Sequence, residues 1–182
     1  MPTFSAAQLK EFSARMFLHF GVPLNDAEQA AEVLSLSDLR GIDSHGVARL
    51  HTYFDMLTLG KINARPNIAI VRDKKSVCTV DGDNGLGLVV GPKANQIAME
   101  KAAQHGSGWV SVCNTNHYGI ASYYSLKALE RDMIGWSMTN IRASTGRAER
   151  AMLSLPRPVP LLPARPVSST VARPEAGFYQ PG

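Results

Sequence analysis

The sequence is poor in cysteine and has no apolar run long enough to cross a membrane. Its two cysteines, Cys78 and Cys113, lie in separate strand-like runs and form no CxxC or CxxH grouping. Metal sites and disulfide frameworks need clustered or paired cysteines, so we expect no metal and predict buried thiols in a reducing cytoplasm. Residues 1–21 form an amphipathic pattern with internal charges and do not resemble a signal peptide. We therefore expect a cytoplasmic protein without membrane contact.

Basic charge is also scarce over most of the chain. Residues 1–140 carry 13 Lys and Arg against 13 Asp and Glu, so the net charge of +4 arises entirely within residues 141–182. The balanced part has no basic stripe with interleaved aromatic residues. A nucleic-acid partner is therefore not expected.

The first sixty residues carry three helical patterns. A capping box, SAAQ at residues 5–8, precedes the first helix, and Asn25 caps the second, which is predicted to run to about residue 40. The third is predicted to begin at His45, behind Asp43 or Ser44 as its N-cap, and to end near residue 60. We predict that residues 1–60 form a helical subdomain that carries the substrate site.

From residue 61 to residue 140 strands and helices alternate, which is typical of an α/β protein with a parallel or mixed sheet. We predict a partial mixed sheet with flanking helices over residues 61–140. In order, the predicted elements are a hairpin at 68–71 and 77–80, a helix over 86–105, a strand at 109–113, a helix over 121–131 and a strand at 134–138.

The composition changes abruptly after Asn140. Seven of the eleven prolines lie in the last 27 residues, among arginine, alanine and serine. Because proline interrupts both helices and strand ladders, we predict that residues 141–182 form an unstructured, disordered Pro/Arg-rich tail.

His45 and Arg49 stand four residues apart at the predicted start of the third helix. An imidazole and a guanidinium at a helix N-terminus suit a small carboxylate, which the helix dipole and a bidentate arginine both favour. A solvated face that carries both residues by chance fits the spacing equally well. On the helical wheel the predicted core stripe is Val47, Leu50, Phe54 and Leu57, with Thr52 and Tyr53 on the face of His45 and Arg49.

His117 follows the predicted strand at 109–113 and precedes a helix. Ligands of open α/β sheets gather at the carboxyl ends of strands, so this histidine is a second candidate; a polar loop with an incidental histidine is equally compatible. His19, His51 and His105 are better explained as structural, with His51 partly buried beside the apolar stripe.

A glycine pattern, GLGLVVG at 85–91, only weakly resembles a dinucleotide-binding fingerprint. Its spacing is one residue too long, and the next strand ends at Asn114 instead of an acidic residue that would bind a ribose. A turn followed by a helix start explains the pattern.

Three segments together resemble the malate/L-lactate dehydrogenase family: DLRGIDSHGVARL at 38–50, DGDNGLGLVVG at 81–91 and TNHYGIASYY at 115–124. The resemblance runs from about residue 4 to residue 140. This family includes ureidoglycolate, sulfolactate and diketogulonate oxidoreductases and is distinct from the Rossmann-type lactate and malate dehydrogenases. The resemblance implies interconversion of a small 2-oxo and a 2-hydroxy carboxylate with NAD or NADP, on a non-Rossmann fold, usually as a homodimer.

The resemblance also implies roles for four residues. His45 and His117 match the two catalytic histidines, Arg49 matches the arginine that holds the substrate carboxylate, and Ser44 lines the same pocket. Which histidine exchanges the proton stays open. Hydride transfer to a ketone carbon needs a proton at its oxygen, and histidine titrates in the appropriate range.

Members of this family are roughly twice as long, and most residues that hold their nucleotide lie beyond the point matching Asn140. We therefore expect a truncated or frameshifted product that keeps the site residues, lacks most of the cofactor site and has little or no dehydrogenase activity. The alternative is a non-catalytic product that at most associates with a full-length homologue.

Overall fold

The computed structural model describes residues 4–139 and the backbone of residues 150–156. Three helices fill the first part: α1 (Ala6–His19), α2 (Leu24–Leu39) and α3 (Leu50–Thr58). Helices α1 and α2 pack against each other as a hairpin. Within the described residues, no helix is long and apolar enough to cross a membrane.

The capping box predicted for α1 is confirmed. The Ser5 hydroxyl accepts the N–H of Gln8 at 3.2 Å, and the Gln8 side chain accepts the N–H of Ser5 at 2.8 Å. Gly21, with φ of +77°, follows the end of this helix. The capping prediction for α2 is wrong: its N-cap is Pro23, which has no side chain able to accept an N–H, and the helix begins one residue before Asn25.

The second part is built on a mixed five-stranded sheet in the order β1-β2-β3-β5-β4. Strands β2 and β3 are parallel, and the other neighbouring pairs are antiparallel. The predicted hairpin is confirmed as the β1–β2 pair. The strands are β1 (Ala69–Asp73), β2 (Val77–Gly85), β3 (Gly108–Thr115), β4 (Met133–Ser137) and β5 (Arg150–Pro156).

Two further helices, α4 (Gly87–His105) and α5 (Ala121–Leu129), cover one face of this sheet. The strands alternate accordingly: Cys78 and Val80 of β2 point into the core, as do Val110 and Val112 of β3. Helix α2 packs on the other side of α4. The main hydrophobic core therefore runs from the helical hairpin to the sheet. A second, smaller cluster of Met99, Ala102, Ala128 and Met133 joins α4, α5 and β4.

The opposite face of the sheet has no described helix packed on it. Trp109 of β3 and Trp136 of β4 are 39% and 57% exposed there. Both residues are in register with Leu153 of β5, so both belong to one row across the sheet.

The structure contains a strand within the segment for which the sequence predicts an unstructured tail. Residues 150–156 form β5, which pairs with both β3 and β4. The physical reason is that β3 and β4 are not neighbours, so each presents an open hydrogen-bonding edge to the space between them. The first proline of the tail, Pro156, stands only at the end of β5, where a missing N–H is tolerated. The remainder of the predicted tail lies outside the described residues.

Candidate functional site

The loop that carries His45 is not the first turn of an α-helix, so that prediction is wrong. Residues 43–45 and 47–49 form two short 3₁₀ turns, and α3 begins only at Leu50 with Arg49 as its N-cap. Gly46 separates the two turns in an extended conformation, with φ of −93° and ψ of −147°. The helical spacing of His45 and Arg49 therefore does not describe their geometry.

A carboxylate from α2 holds this loop in place. Asp38 accepts the N–H of Val47 at 2.9 Å. A Cβ added to Gly46 would lie 1.8 Å from Asp38 Oδ1, so any larger residue at this position would displace the carboxylate. The loop is therefore positioned by a contact between two elements and not by helix propensity.

The polar side chains of the loop are linked to one another. Ser44 Oγ lies 3.0 Å from His45 Nδ1, and Arg49 Nε donates to the carbonyl of Ser44 at 2.9 Å. No described carboxylate forms an ion pair with Arg49. Its guanidinium can therefore offer the remaining N–H donors to an external anion.

His117 lies in the loop between β3 and α5 and comes close to His45. The centroids of the two imidazole rings are 5.4 Å apart, with an angle of 34° between the ring planes. Residues 45 and 117 thus lie close together, as expected if both serve the one site that the resemblance implies. Their chemical roles stay predictions.

Tyr53 is the site residue that sequence reasoning placed on the wrong face. It is buried at 2% exposure, and its Oη lies 2.7 Å from Nδ1 of His117. Burial raises the pKa of Tyr53 above its usual range, and the Arg49 charge opposes that shift only in part. The signal was present in the sequence, since residues 50, 53 and 57 also follow a helical spacing. The buried stripe of α3 contains Tyr53, while Phe54 is 45% exposed.

A polar network supports the site at the carboxyl ends of β2 and β3. Asp81 Oδ1 accepts the N–H of Asp83 at 2.8 Å and the side chain of Asn114 at 3.1 Å. Next to His117, Asn116 donates to the carbonyls of Asn84 and Gly85 at 2.9 and 3.0 Å. From sequence alone, only residues 81–85 of this network are recognised, and their pattern predicts a turn. Three residues of the network, Asp83, Asn84 and Asn114, have positive φ, which asparagine and aspartate tolerate better than most residues.

The glycines of residues 85–91 are packed against the protein itself. A Cβ at Gly87 would lie 2.1 Å from the carbonyl oxygen of Asn116 and 2.4 Å from that of His117. At Gly85 it would meet Pro66, and at Gly91 the Tyr124 ring. Gly87 therefore allows α4 to approach the His117 loop closely, and Gly91 allows the Tyr124 ring of α5 to approach α4.

The remaining histidines lie apart from this cluster. His19 packs edge-on against Phe20, and His105 is exposed at the end of α4. His51 is exposed, contrary to the prediction, and its Nδ1 contacts the carbonyl of Ala48 at 2.7 Å. Among residues 4–139 no three His, Cys, Asp or Glu side chains are grouped so that they could hold a metal ion.

Comparison with known proteins identifies relatives of this chain. The family model for malate/L-lactate dehydrogenase matches residues 4–150, ten residues further than the motifs alone indicate. Malate dehydrogenase from Pyrococcus abyssi is 49% identical over 148 residues, which are 80% of this chain and 41% of that protein. L-sulfolactate dehydrogenase from Methanocaldococcus jannaschii is 48% identical over 121 residues, or 66% of this chain and 35% of that protein.

The folds agree as well. The structure of malate dehydrogenase from Pyrococcus horikoshii superposes with a TM-score of 0.76 at 45% identity, and covers 78% of this chain and 40% of that one. The chain thus spans about two fifths of the length of these relatives. With the family match extending over most of its residues, the chain belongs to the malate/L-lactate dehydrogenase family.

Proposed function

We propose that this chain carries the substrate-binding and proton-transfer residues of a 2-hydroxy-acid dehydrogenase that uses NAD or NADP. The observation that carries the proposal is the meeting of His45, His117, Tyr53 and Arg49 at one place. The substrates would be small 2-oxo and 2-hydroxy carboxylates, the class to which the names of the relatives refer.

Each part of such a substrate has a suitable partner. The carboxylate suits the guanidinium of Arg49, which is held at Nε by the Ser44 carbonyl and keeps further N–H donors available. The oxygen on C2 needs a group that donates a hydrogen bond and one that exchanges a proton, and two imidazole rings 5.4 Å apart can supply both. Ser44, bound to His45, would line the same side of the substrate.

The glycine-rich segment at residues 85–91 is not assigned to the cofactor. A Cβ added at Gly85, Gly87 or Gly91 would meet Pro66, the carbonyls of the His117 loop or Tyr124, so these glycines serve packing within the protein. Among residues 4–139, Arg49 suits the substrate carboxylate and the two histidines suit the transferred proton.

Substrate binding tests the proposal without requiring turnover. We would titrate the ¹⁵N-labelled chain with pyruvate, oxaloacetate and sulfopyruvate and follow the amide and imidazole resonances of the loop at 43–49 and of His117. Arg49→Gln should weaken binding about 10- to 100-fold, since a hydrogen bond to a charged group contributes about 1.5–3 kcal/mol.

Arg40→Gln is the matched control, because Arg40 is exposed at the end of α2 and belongs to no described ion pair. It should bind as the unmodified chain does. Equal affinities for the Arg49 variant and the unmodified chain, or no perturbation at either histidine, would contradict the proposal.

The uncovered sheet face favours a second function, association with a full-length member of the family without catalysis. Trp109, Trp136 and Ile134 form an exposed apolar surface on that face. Sedimentation velocity of the chain, alone and mixed with the Pyrococcus abyssi enzyme, would test it. A mixed complex that is lost in Trp136→Ser would support association, and two independently sedimenting species would exclude it.

A further inference from the structure

A cavity lies between helices α2, α4 and α5, and none of the residues of the candidate site lines it. Its volume is about 280 Å³, near the lower end of the range of about 300–1,000 Å³ that is typical of small-molecule sites. Pro92 and Met99 of α4 give it an apolar wall, and two of its polar lining residues, Asn95 and Tyr123, are buried. A space of this size and composition suits a small molecule that has both an apolar body and polar groups.

The buried polar groups of the cavity are held in place by hydrogen bonds. Tyr123 Oη accepts from Nε2 of Gln29 at 2.8 Å and donates to the carboxylate of Glu32 at 3.0 Å. Nδ2 of Asn95 donates to the carbonyl of Tyr124 at 3.1 Å. Burial raises the pKa of Tyr123, so the phenol stays neutral and adds no charge to the cavity. A lining that is already ordered reduces the entropy that a ligand would lose by ordering it.

The charged residues of the cavity leave an excess of positive charge. Glu32, Lys127 and Arg131 line it. The Glu32 carboxylate is shared between the ammonium groups of Lys10 at 3.8 Å and Lys127 at 3.9 Å, and Lys127 also lies 3.4 Å from the carboxylate of Glu130. Three cations thus face two carboxylates in this cluster, so the cavity favours an anion over a cation.

Arg131 is the cation that remains available. It lies just beyond the end of α5, where its main-chain N–H donates to the carbonyl of Ala128 at 3.0 Å. Among the residues that the structure describes, its guanidinium forms no ion pair and no hydrogen bond. The N–H donors of a guanidinium match two oxygens of a carboxylate or a phosphate.

We propose that this cavity binds a small organic oxyanion, a molecule that carries a carboxylate or phosphate group on a compact apolar body. Arg131 and Lys127 hold the oxyanion, and Pro92 and Met99 contact the body. The site is separate from the one assigned to the 2-oxo acid, and its existence does not depend on the proposed function.

NMR titration of the ¹⁵N-labelled full chain tests the site. The probes are succinate, glycerol 3-phosphate and inorganic phosphate, in about 0.15 M NaCl, which largely screens exposed charges more than about 8 Å apart. We expect saturable shifts of the α5 amides and of the Arg131 side-chain Nε–H with succinate, glycerol 3-phosphate or both, which identifies the oxyanion. Inorganic phosphate lacks the apolar body and should bind more weakly than the organic probe that binds.

Three variants test which charges act on the ligand. Arg131→Gln should weaken binding about 10- to 100-fold, the factor that a hydrogen bond to a charged group contributes. Arg40→Gln is the matched control, because Arg40 is also an exposed arginine at a helix end but does not line the cavity, and it should leave the affinity unchanged. Glu32→Gln keeps an acceptor for Tyr123 and removes a negative charge, so it should strengthen binding about 2- to 5-fold.

Three results would overturn the proposal. They are no saturable shift in α5 with either organic probe, equal affinities for the Arg131 and Arg40 variants, and weaker binding by the Glu32 variant while its circular dichroism spectrum is unchanged. The proposed function is judged from other signals, since neither organic probe is a 2-oxo or 2-hydroxy carboxylate and the resonances of residues 43–49 are recorded separately. Binding of pyruvate at Arg49 without any oxyanion in the cavity would refute only this inference.

Discussion

Replacing Gly46 with alanine tests whether the Asp38 carboxylate holds the loop that carries His45. The new methyl group would lie 1.8 Å from Asp38 Oδ1 and 2.2 Å from Cγ. Such a contact forces the carboxylate away from the N–H of Val47, which it accepts at 2.9 Å. Gly46→Ala should therefore break the hydrogen bond between Val47 and Asp38, although residue 46 is not itself a partner in that bond.

The expected magnitudes follow from that bond. A hydrogen bond to a charged group contributes about 1.5–3 kcal/mol, so Asp38→Ala should lower the free energy of unfolding by about that amount. Gly46→Ala should lower it by at least as much, because it expels the same carboxylate. The Asp38→Ala/Gly46→Ala double variant lacks the carboxylate that would clash with the new methyl group. Its loss in free energy of unfolding should therefore stay near that of Asp38→Ala alone. The expected coupling between the two sites is about 1.5–3 kcal/mol.

Urea unfolding followed by far-UV circular dichroism measures all three variants. Asp38→Asn is the control, because it keeps an acceptor oxygen and should cost less than Asp38→Ala. If the two single effects add in the double variant to within about 0.5 kcal/mol, the carboxylate does not mediate the effect of Gly46 and the reasoning is wrong.

Two further predictions concern stability. Phe17→Ala should lower the free energy of unfolding by about 3–5 kcal/mol, since Phe17 is fully buried. Phe12→Ala should lower it by no more than about 0.5 kcal/mol, since Phe12 is 62% exposed. Equal losses for the two variants in urea unfolding would refute this account of the core. Burial raises the pKa values of Tyr53 and Tyr124 above the ordinary 10.0, so the unfolded chain releases these protons first. Their stabilisation is complete below pH 10 and should fall above it by about 1.4 kcal/mol per pH unit for each tyrosine. Tyr124→Phe should reduce this slope, and a flat stability curve above pH 10 would contradict the argument.

Local sequence patterns were sufficient for most of the fold. The capping box at Ser5 and the apolar spacing behind it predict α1, and the charged turn between two β-rich runs predicts the β1–β2 hairpin; both are present. The proximity of His45 and His117 agrees with the resemblance, which implies that both serve one site, and with the place of His117 after a strand; the helix start predicted at His45 is wrong.

The features that sequence missed depend on contacts between distant segments. The turns at residues 43–49 form because Asp38 holds Val47 across Gly46, which overrides the helical spacing of His45 and Arg49. Tyr53 joins the site because α3 begins at Leu50, which rotates its buried face relative to a helix starting at His45. Strand β5 forms because two other strands leave a place for it, which its own composition does not reveal.

The row of the sheet that holds both tryptophans has a practical consequence for spectroscopy. The chain has two tryptophans, and each already has much of its surface in water when the protein is folded. Their emission should therefore change little on unfolding, and a fluorescence melt would understate the cooperativity of the core around Phe17. The same emission should shift to the blue when another molecule covers that face. In this protein intrinsic fluorescence is a reporter of association, while circular dichroism reports folding.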